Sequence, residues 1–493
     1  MKLSKSLYTR GLQCQKSLWL KKNKKEVLSL PDDSAQAIFE NGNDVGDLAC
    51  KLFPNGKTVP FKLGFEDMII QTKLWINMGM KNIYEASFSY DDIFVAVDIL
   101  EIVDAAKKEV KIYEVKSSTE VKDVYLHDAS IQYYVLNGLG YNVKQVNIIH
   151  INNSYVRGET LDINQLFSIV DVTLEIKELQ KNIKSNIESF RNTISNPIEP
   201  NIDIGTHCSN PYSCDAIDYC WKHIPKYSIF DISRLSTKKK FEYYKNGILE
   251  FSQLEDLESF SVSQQIQIAS EKQNKTIINK PAIKEFLETL TYPIYHLDFE
   301  TFQQAVPQFI GLSPYQQIPF QYSLHIEYED GTLEHKEFLS PDSIDPREQI
   351  AISLTNHIPK DVTVLAYNMG FEKGVIRKLA DLYTSLGSHL MNIHDNCHDL
   401  MIPFQKKDYY TPLMKGSYSI KYVLPALVPE FENAYKDLNL IHNGGEAMQA
   451  FANLSKIDDI NKKEEYRKAL LEYCKLDTLA MVRILDKLKE CVR

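Results

Sequence analysis

The 493-residue chain has no run of about 18 uncharged apolar residues, which excludes a membrane-spanning helix. Its opening stretch, "MKLSKSLYTRGLQCQKSLWLKKNKK", lacks the long apolar centre of a secretory signal, so a cytoplasmic protein with no membrane partner is expected. Internal repeats and low-complexity tracts are absent, which excludes a solenoid or a disordered array. Excess positive charge is also missing. The net charge of −10 argues against a generic coat for polyanions, although it leaves room for a local cleft where acids await cations. The short lysine runs "KKNKK" at 21–25 and "STKKKFEYYK" at 236–245 read as solvated faces. Eight cysteines in a cytoplasmic chain are not a disulfide framework, and none forms a C-x2-C pair.

What is present describes an ordinary globular chain, 44% hydrophobic and 25% charged, long enough for two or three domains. Residues 1–224 read as one unit. The β-rich runs "IFVAVDILEIV" and "VKIYEVKSS", joined by the polar turn "DAAKKE", form a hairpin. The helix "VYLHDASIQYYVLNGLG" follows, closed by Gly138 and Gly140, then the strand "VKQVNIIHINNSYV" and a long polar helix around 168–194. Residues 225–290 are mostly helical and polar and are read as a connector, with "FEYYKNGILEFSQL" as a plain helical hairpin. From 291 to 493 the order is strand, hairpin, helix, strand, helix and a long closing helix, the hairpin turning at Asp330 and Gly331.

"PIYHLDFETF" at 293–302 is an apolar strand that carries two acids. Alternation puts Asp298 and Glu300 on one face, where they repel each other unless a cation lies between them. Glu372 follows the strand ending "AYN", and Asp477 lies on the last helix with Tyr473 one turn before it. Such a set can hold two divalent cations, Mg2+ or Mn2+, about 3.5–4 Å apart for phosphodiester cleavage, with Tyr473 positioning the water. The segments "LDFET", "AYNMGFE" and "YCKLD" resemble, in order and spacing, the three motifs of the DEDD exonuclease superfamily, in its tyrosine branch. The resemblance implies an RNase H-like fold over 291–493. It departs at the second motif, where Glu372 stands in place of Asp and reaches one methylene farther.

Asp98 in "VAVDILEIV" and Glu114 with Lys116 in "YEVKSS" fall on facing strands of the first hairpin. The acids suit Mg2+ and its waters, the ammonium suits a nucleophilic water or developing charge, and Gln132 on the next helix can brace them. Together these segments resemble the PD-(D/E)xK core of RecB-family nucleases. That family often has a His before the Asp. The segment "FENGNDVGDLACKLF" has none, which leaves Glu40 or Glu85 to serve.

"HCSNPYSCDAIDYC" spaces Cys208, Cys214 and Cys220 as C-x5-C-x5-C, with Cys14 far upstream. Four soft thiolates suit an iron–sulfur cluster or a zinc ion, and the absence of C-x2-C pairs disfavours zinc. One distant cysteine before the core and three clustered after it resemble the iron–sulfur staple of AddB and of CRISPR-associated RecB-like exonucleases, which implies a 4Fe–4S cluster. Cys50, Cys397, Cys474 and Cys491 read as packing residues.

The whole chain resembles a bacterial family that fuses a RecB-like iron–sulfur nuclease module to a DEDD-type domain. The expectation is therefore an α/β, multi-domain, metal-dependent nuclease acting on nucleic acid, DNA rather than RNA, as an exonuclease in repair or defence. A nucleic-acid-binding scaffold with inactive sites is the alternative, and a redox- or metal-sensing regulator built on the cysteines is a third.

Overall fold

The computed structural model describes residues 3–30 and 33–493, with the side chains of 33–41 outside the description. The fold is mixed α/β and divides into two compact units, residues 1–223 with 304–316 and residues 224–303 with 317–493. Among the described residues no helix is long and apolar enough to cross a membrane.

The first unit is built on a sheet of β1 (Leu3–Ser4), β2 (Lys57–Thr58), β3 (Asn82–Tyr90), β4 (Ile93–Asp104), β5 (Glu109–Lys116), β6 (Asn142–Ile151) and β7 (Phe167–Asp171). The order is β2-β3-β4-β5-β6-β7, with β1 added parallel to the start of β4. β3, β4 and β5 run antiparallel, whereas β5 and β6 are parallel and need a crossover, supplied by the helix Asp123–Gly138. The helix Thr173–Ser195 presents Ile176, Ile183, Ile187, Phe190 and Ile194 as one buried stripe, each burial contributing about 1.5–3 kcal/mol. The helix Lys5–Gln13 lies close against it. A Cβ at Gly11 would come 2.8 Å from the Phe190 ring, so only glycine permits this approach.

Residues 168–171, expected to open a helix, instead form β7 antiparallel to β6. The β-branched pair Ile169 and Val170 favours the strand, and the helix starts only after Asp171, whose Oδ1 accepts from the Thr173 amide at 2.9 Å.

In the second unit, after the two-residue β8 (Ile277–Ile278), β9 (Ile294–Phe302) is central in the order β11-β10-β9-β12-β13, where β10 is Ile318–Glu327, β11 Leu333–Leu339, β12 Thr363–Ala366 and β13 Cys397–Asp399. β10 is antiparallel to β9 and β11, and β12 is parallel to β9 and β13. Helices cover both faces. Tyr295, Leu297 and Phe299 pack with the helices Arg347–His357, Met369–Leu382 and Thr384–Asp395, while Ile294 packs with Ile484, Leu485 and Leu488 of the closing helix Ile460–Val492. The two-residue period of β9 therefore turns Asp298 and Glu300 toward the closing helix.

The stretch 225–290, expected as a separate connector, belongs to the second unit. Its Ile229, Phe251, Leu254, Phe260 and Ile268 form a buried cluster, and its helix Lys280–Leu287 packs Ile283 with Leu485 and Leu488 of the closing helix. Conversely, residues 304–316 belong to the first unit, where Ala305 is buried with Ile149 and Phe167.

Candidate active and metal sites

Asp298, Glu300 and Asp477 of the second unit each offer a carboxylate oxygen within 4.8 Å of the others. The closing helix is fixed over β9 by buried polar ties to β10: Gln321 Nε2 donates to Leu470 O at 2.8 Å, and Thr478 Oγ1 lies 2.7 Å from Ser323 Oγ and 2.8 Å from His325 Nδ1. These ties set Tyr473 and Asp477 over the strand acids.

Burial, with Asp477 nearby, pushes Asp298 well above the usual carboxylate range; burial followed by Asp298 and Asp477 does the same to Glu300. Asp477 is pushed by burial up to about 6, held from going higher by the Tyr435 and Tyr473 hydroxyls and by Lys421. Three acids gathered without an ion-paired cation are costly, and a bound divalent ion would remove that cost.

Glu372 is not part of the tight triad, yet it is buried beside Asp298, and its Oε2 has no hydrogen-bond partner. Its helix is aimed by Asn368, whose left-handed φ of 75° turns the chain out of β12. Asp399 Oδ1 fixes that turn by accepting from the amides of Asn368 and Met401, both at 2.9 Å. An orphaned buried oxygen beside a hard-oxygen triad fits Mg2+ or Mn2+.

Sequence reasoning passed over Asp399, Tyr435 and Lys421. Cys474, read from sequence as a packing residue, is buried with its Sγ 3.8 Å from Asp298 Oδ2. Tyr435 sits in an irregular loop, where no periodicity marks it; Cys474 could have been found from its place one residue after Tyr473.

In the first unit the register sets three acids in a row. Tyr84 opposes Ile99 and Ala86 opposes Val97, so Glu85 lies across from Asp98. Ile99 opposes Tyr113, and one residue on Asp98 meets Glu114. Glu85 takes a φ of 54°, a conformation that non-glycine residues adopt rarely and that clusters at functional positions. Asp98 Oδ2 accepts from the Val115 amide at 2.7 Å. Glu40, the other residue considered for the missing His, has a side chain outside the described residues.

Two ammonium groups fill this row. Glu114 Oε1 accepts from Lys116 at 2.7 Å and from Lys5 at 2.8 Å, and its Oε2 accepts from Gln132 Nε2 at 2.5 Å. Asp128, unnoticed in the sequence, accepts from Lys116 at 2.7 Å and pairs with Lys5 at 3.4 Å. Glu114 is desolvated, but Lys116 and Lys5 outweigh that and hold its carboxyl below the usual range. Asp98, desolvated and beside Glu114, is pushed up to about 7. Among the described residues no three acids of this unit converge within 4.8 Å, so its metal fit is weaker than that of the second unit.

Cys14, Cys208, Cys214 and Cys220 line one cavity with Ile202 and Ala216. Ser17 binds two of the sulfurs: its amide donates to Cys14 Sγ at 3.5 Å, and its hydroxyl lies 3.4 Å from Cys214 Sγ. Arg10 and Lys16 add positive charge beside the thiols. Burial pushes Cys220 up to about 11 and also raises Cys14, so a metal or cluster bound there would have to displace their protons. No three of these sulfurs lie within 4.8 Å of one another, whereas a single zinc with ~2.3 Å bonds would hold them under ~4 Å apart.

Residues 295–419 match the family described as "Domain of unknown function (DUF2779)". A curated relative, "Uncharacterized protein UU173" of Ureaplasma parvum serovar 3 (strain ATCC 700970), is 25% identical over 234 residues, 43% of this chain and 33% of the relative. The chain thus covers about a third of that relative's length. No solved structure matches.

Proposed function

We propose that the protein is a metal-dependent nuclease that hydrolyses phosphodiester bonds of nucleic acid, DNA rather than RNA, from a strand end. The observation that carries this reading is the convergence of Asp298, Glu300 and Asp477 from a central strand and a closing helix. Asp298, Glu300, Glu372 and Asp477 would hold Mg2+ or Mn2+, which supplies an activated water and charge stabilisation for the leaving oxygen. Tyr473 orients that water. The central first strand, with a hairpin on one side and parallel strands on the other, suits an RNase H-like domain of the DEDD type.

For the first unit, the row of Glu85, Asp98 and Glu114 with Lys116 and Gln132 supports a PD-(D/E)xK, RecB-like site. That no three of the Cys14, Cys208, Cys214 and Cys220 sulfurs lie within 4.8 Å of one another favours a 4Fe–4S cluster over zinc, because the cluster's own core keeps its cysteines apart. A second reading for this unit alone is a grip on nucleic acid without cleavage, favoured by the engagement of both Glu114 oxygens by Lys5, Lys116 and Gln132.

The test is digestion of 5′- and 3′-labelled single and double strands by the wild type, Lys116→Ala and Asp298→Ala, with Mg2+ or Mn2+. Loss with Asp298→Ala assigns the reaction to the second unit, and loss with Lys116→Ala to the first. Cleavage unchanged in both rejects the proposal.

A further inference from the structure

Lys421, at the second position of the helix Ile420–Leu427, is exposed and makes no ion pair among the described residues. Its Nζ lies 5.6 Å from the centroid of the Tyr435 ring and 5.9 Å from that of Tyr473. Both rings belong to the acidic site: Tyr435 donates to Asp477 Oδ1 at 2.6 Å, and Tyr473, one turn before Asp477 on the closing helix, hydrogen-bonds Asp477 and lies in the field of Glu300. The ammonium is thus held by two aromatic faces at the rim of the acids, and its charge is felt by both Glu300 and Asp477.

A lysine whose only task was to neutralise these carboxylates would pair with one of them, as Lys116 does with Glu114 in the first unit. Lys421 stops short, and among the described residues its ammonium makes no ion pair. The neighbouring helix Gly444–Asn453 begins at the same rim without a side chain: a Cβ at Gly444 would stand 3.6 Å from Glu300 Oε2 and 4.0 Å from the Tyr473 hydroxyl. The rim therefore offers, around Glu300 and Tyr473, a cation with no ion pair among the described residues and a helix start that carries no side chain. An incoming anion repelled by the acids would be met there.

We propose that Lys421 is the substrate-phosphate contact of the second site, donating to a non-bridging oxygen of the phosphodiester backbone next to the bond presented to the acids. The inference rests on the nuclease reading, and it names the part of the substrate this unit grips: the backbone, without regard to base. A lysine on a phosphate gives affinity that is independent of sequence and falls with salt. Tyr435 and Tyr473 fix where the charge sits.

The test compares full-length wild type, Lys421→Ala and Lys421→Arg for binding of a fluorescein-labelled thymidine 12-mer in Ca2+ across a salt series. Hydrolysis of the same strand in Mn2+ is measured alongside, with Asp298→Ala as control. Lys421→Ala should weaken binding roughly ten-fold and lower the salt slope by about 0.7, one phosphate contact on a single strand. Lys421→Arg should restore most of both, and the thermal midpoint should not move. Equal affinity and equal slope in wild type and Lys421→Ala overturn the inference. So does failure of the wild type to bind the strand. Weakened binding in Lys421→Ala together with hydrolysis unaffected by Asp298→Ala keeps the phosphate contact and removes the nuclease reading of this unit.

Discussion

Tyr435 donates its hydroxyl hydrogen to Asp477 Oδ1 across 2.6 Å, from a loop that closes over the helix carrying Asp477. The bond favours the ionised carboxylate, which a metal requires, and opposes the burial that pushes Asp477 up to about 6. Tyr435→Phe should therefore raise the Asp477 pKa further. The acidic limb of the pH–rate profile should move to higher pH by roughly one unit, a loss of about 1.4 kcal/mol for the ionised form. An unshifted limb would show that Tyr435 does not tune this carboxylate.

The metal-free protein should lose stability as pH rises. Asp477 at about 6 and Asp98 at about 7 sit above their unfolded values near 4, so the folded chain holds protons that the unfolded chain has released. This stabilisation is complete below about pH 4 and is lost as pH climbs through about 6 to 7. Mg2+ held by these acids would bind their deprotonated form and should oppose the loss. Its stabilising effect, about 2.7 kcal/mol at a hundred-fold excess over Kd, should be present at pH 8 and nearly absent at pH 5. Thermal melts with Mg2+ and with chelator at both pH values measure this; an equal shift at both would contradict it.

Removing Lys5 and Lys116 leaves the buried Glu114 and the half-buried Asp128 without the cations that pair with them. Lys5→Ala with Lys116→Ala should cost about 3–5 kcal/mol. Lys5→Ala alone should cost less, because Lys116 still bonds both acids. Denaturation midpoints of the two variants and the wild type decide this, and a double variant as stable as the wild type would contradict the pairing.

Cys208→Ser should lower iron and sulfide from about four of each per chain and bleach the visible absorption of anaerobically purified protein. Cys50→Ser should leave both unchanged. Metal analysis that finds one zinc per chain, and no sulfide, would replace the cluster with a single-ion site.

The strand acids were legible in the sequence because a two-residue period fixes the face on which Asp298 and Glu300 lie, and a helical turn fixes Tyr473 against Asp477. The row of Glu85, Asp98 and Glu114 was only half legible: parity gave Asp98 and Glu114, but the place of Glu85 depends on strand register. Lys5 reaches Glu114, and Asp128 reaches Lys116, through tertiary packing, from helices whose local pattern says nothing of their meeting. Tyr435 and Lys421 come from a region of short helices and irregular loops between β13 and the closing helix, where periodicity carries no information. The membership of 225–290 in the second unit was hidden for a related reason. Its helices look polar one at a time, and only together do they bury Phe251, Phe260 and Ile268.

The central claim is that the acids of the second unit cage divalent cations. Calorimetric titration of Mn2+ into the full-length protein at pH 8, beside an Asp298→Asn/Asp477→Asn double variant, tests it most directly. The account predicts that the wild type takes up ions which the double variant does not bind, and that proton release accompanies their uptake. Identical isotherms for the two proteins would contradict it.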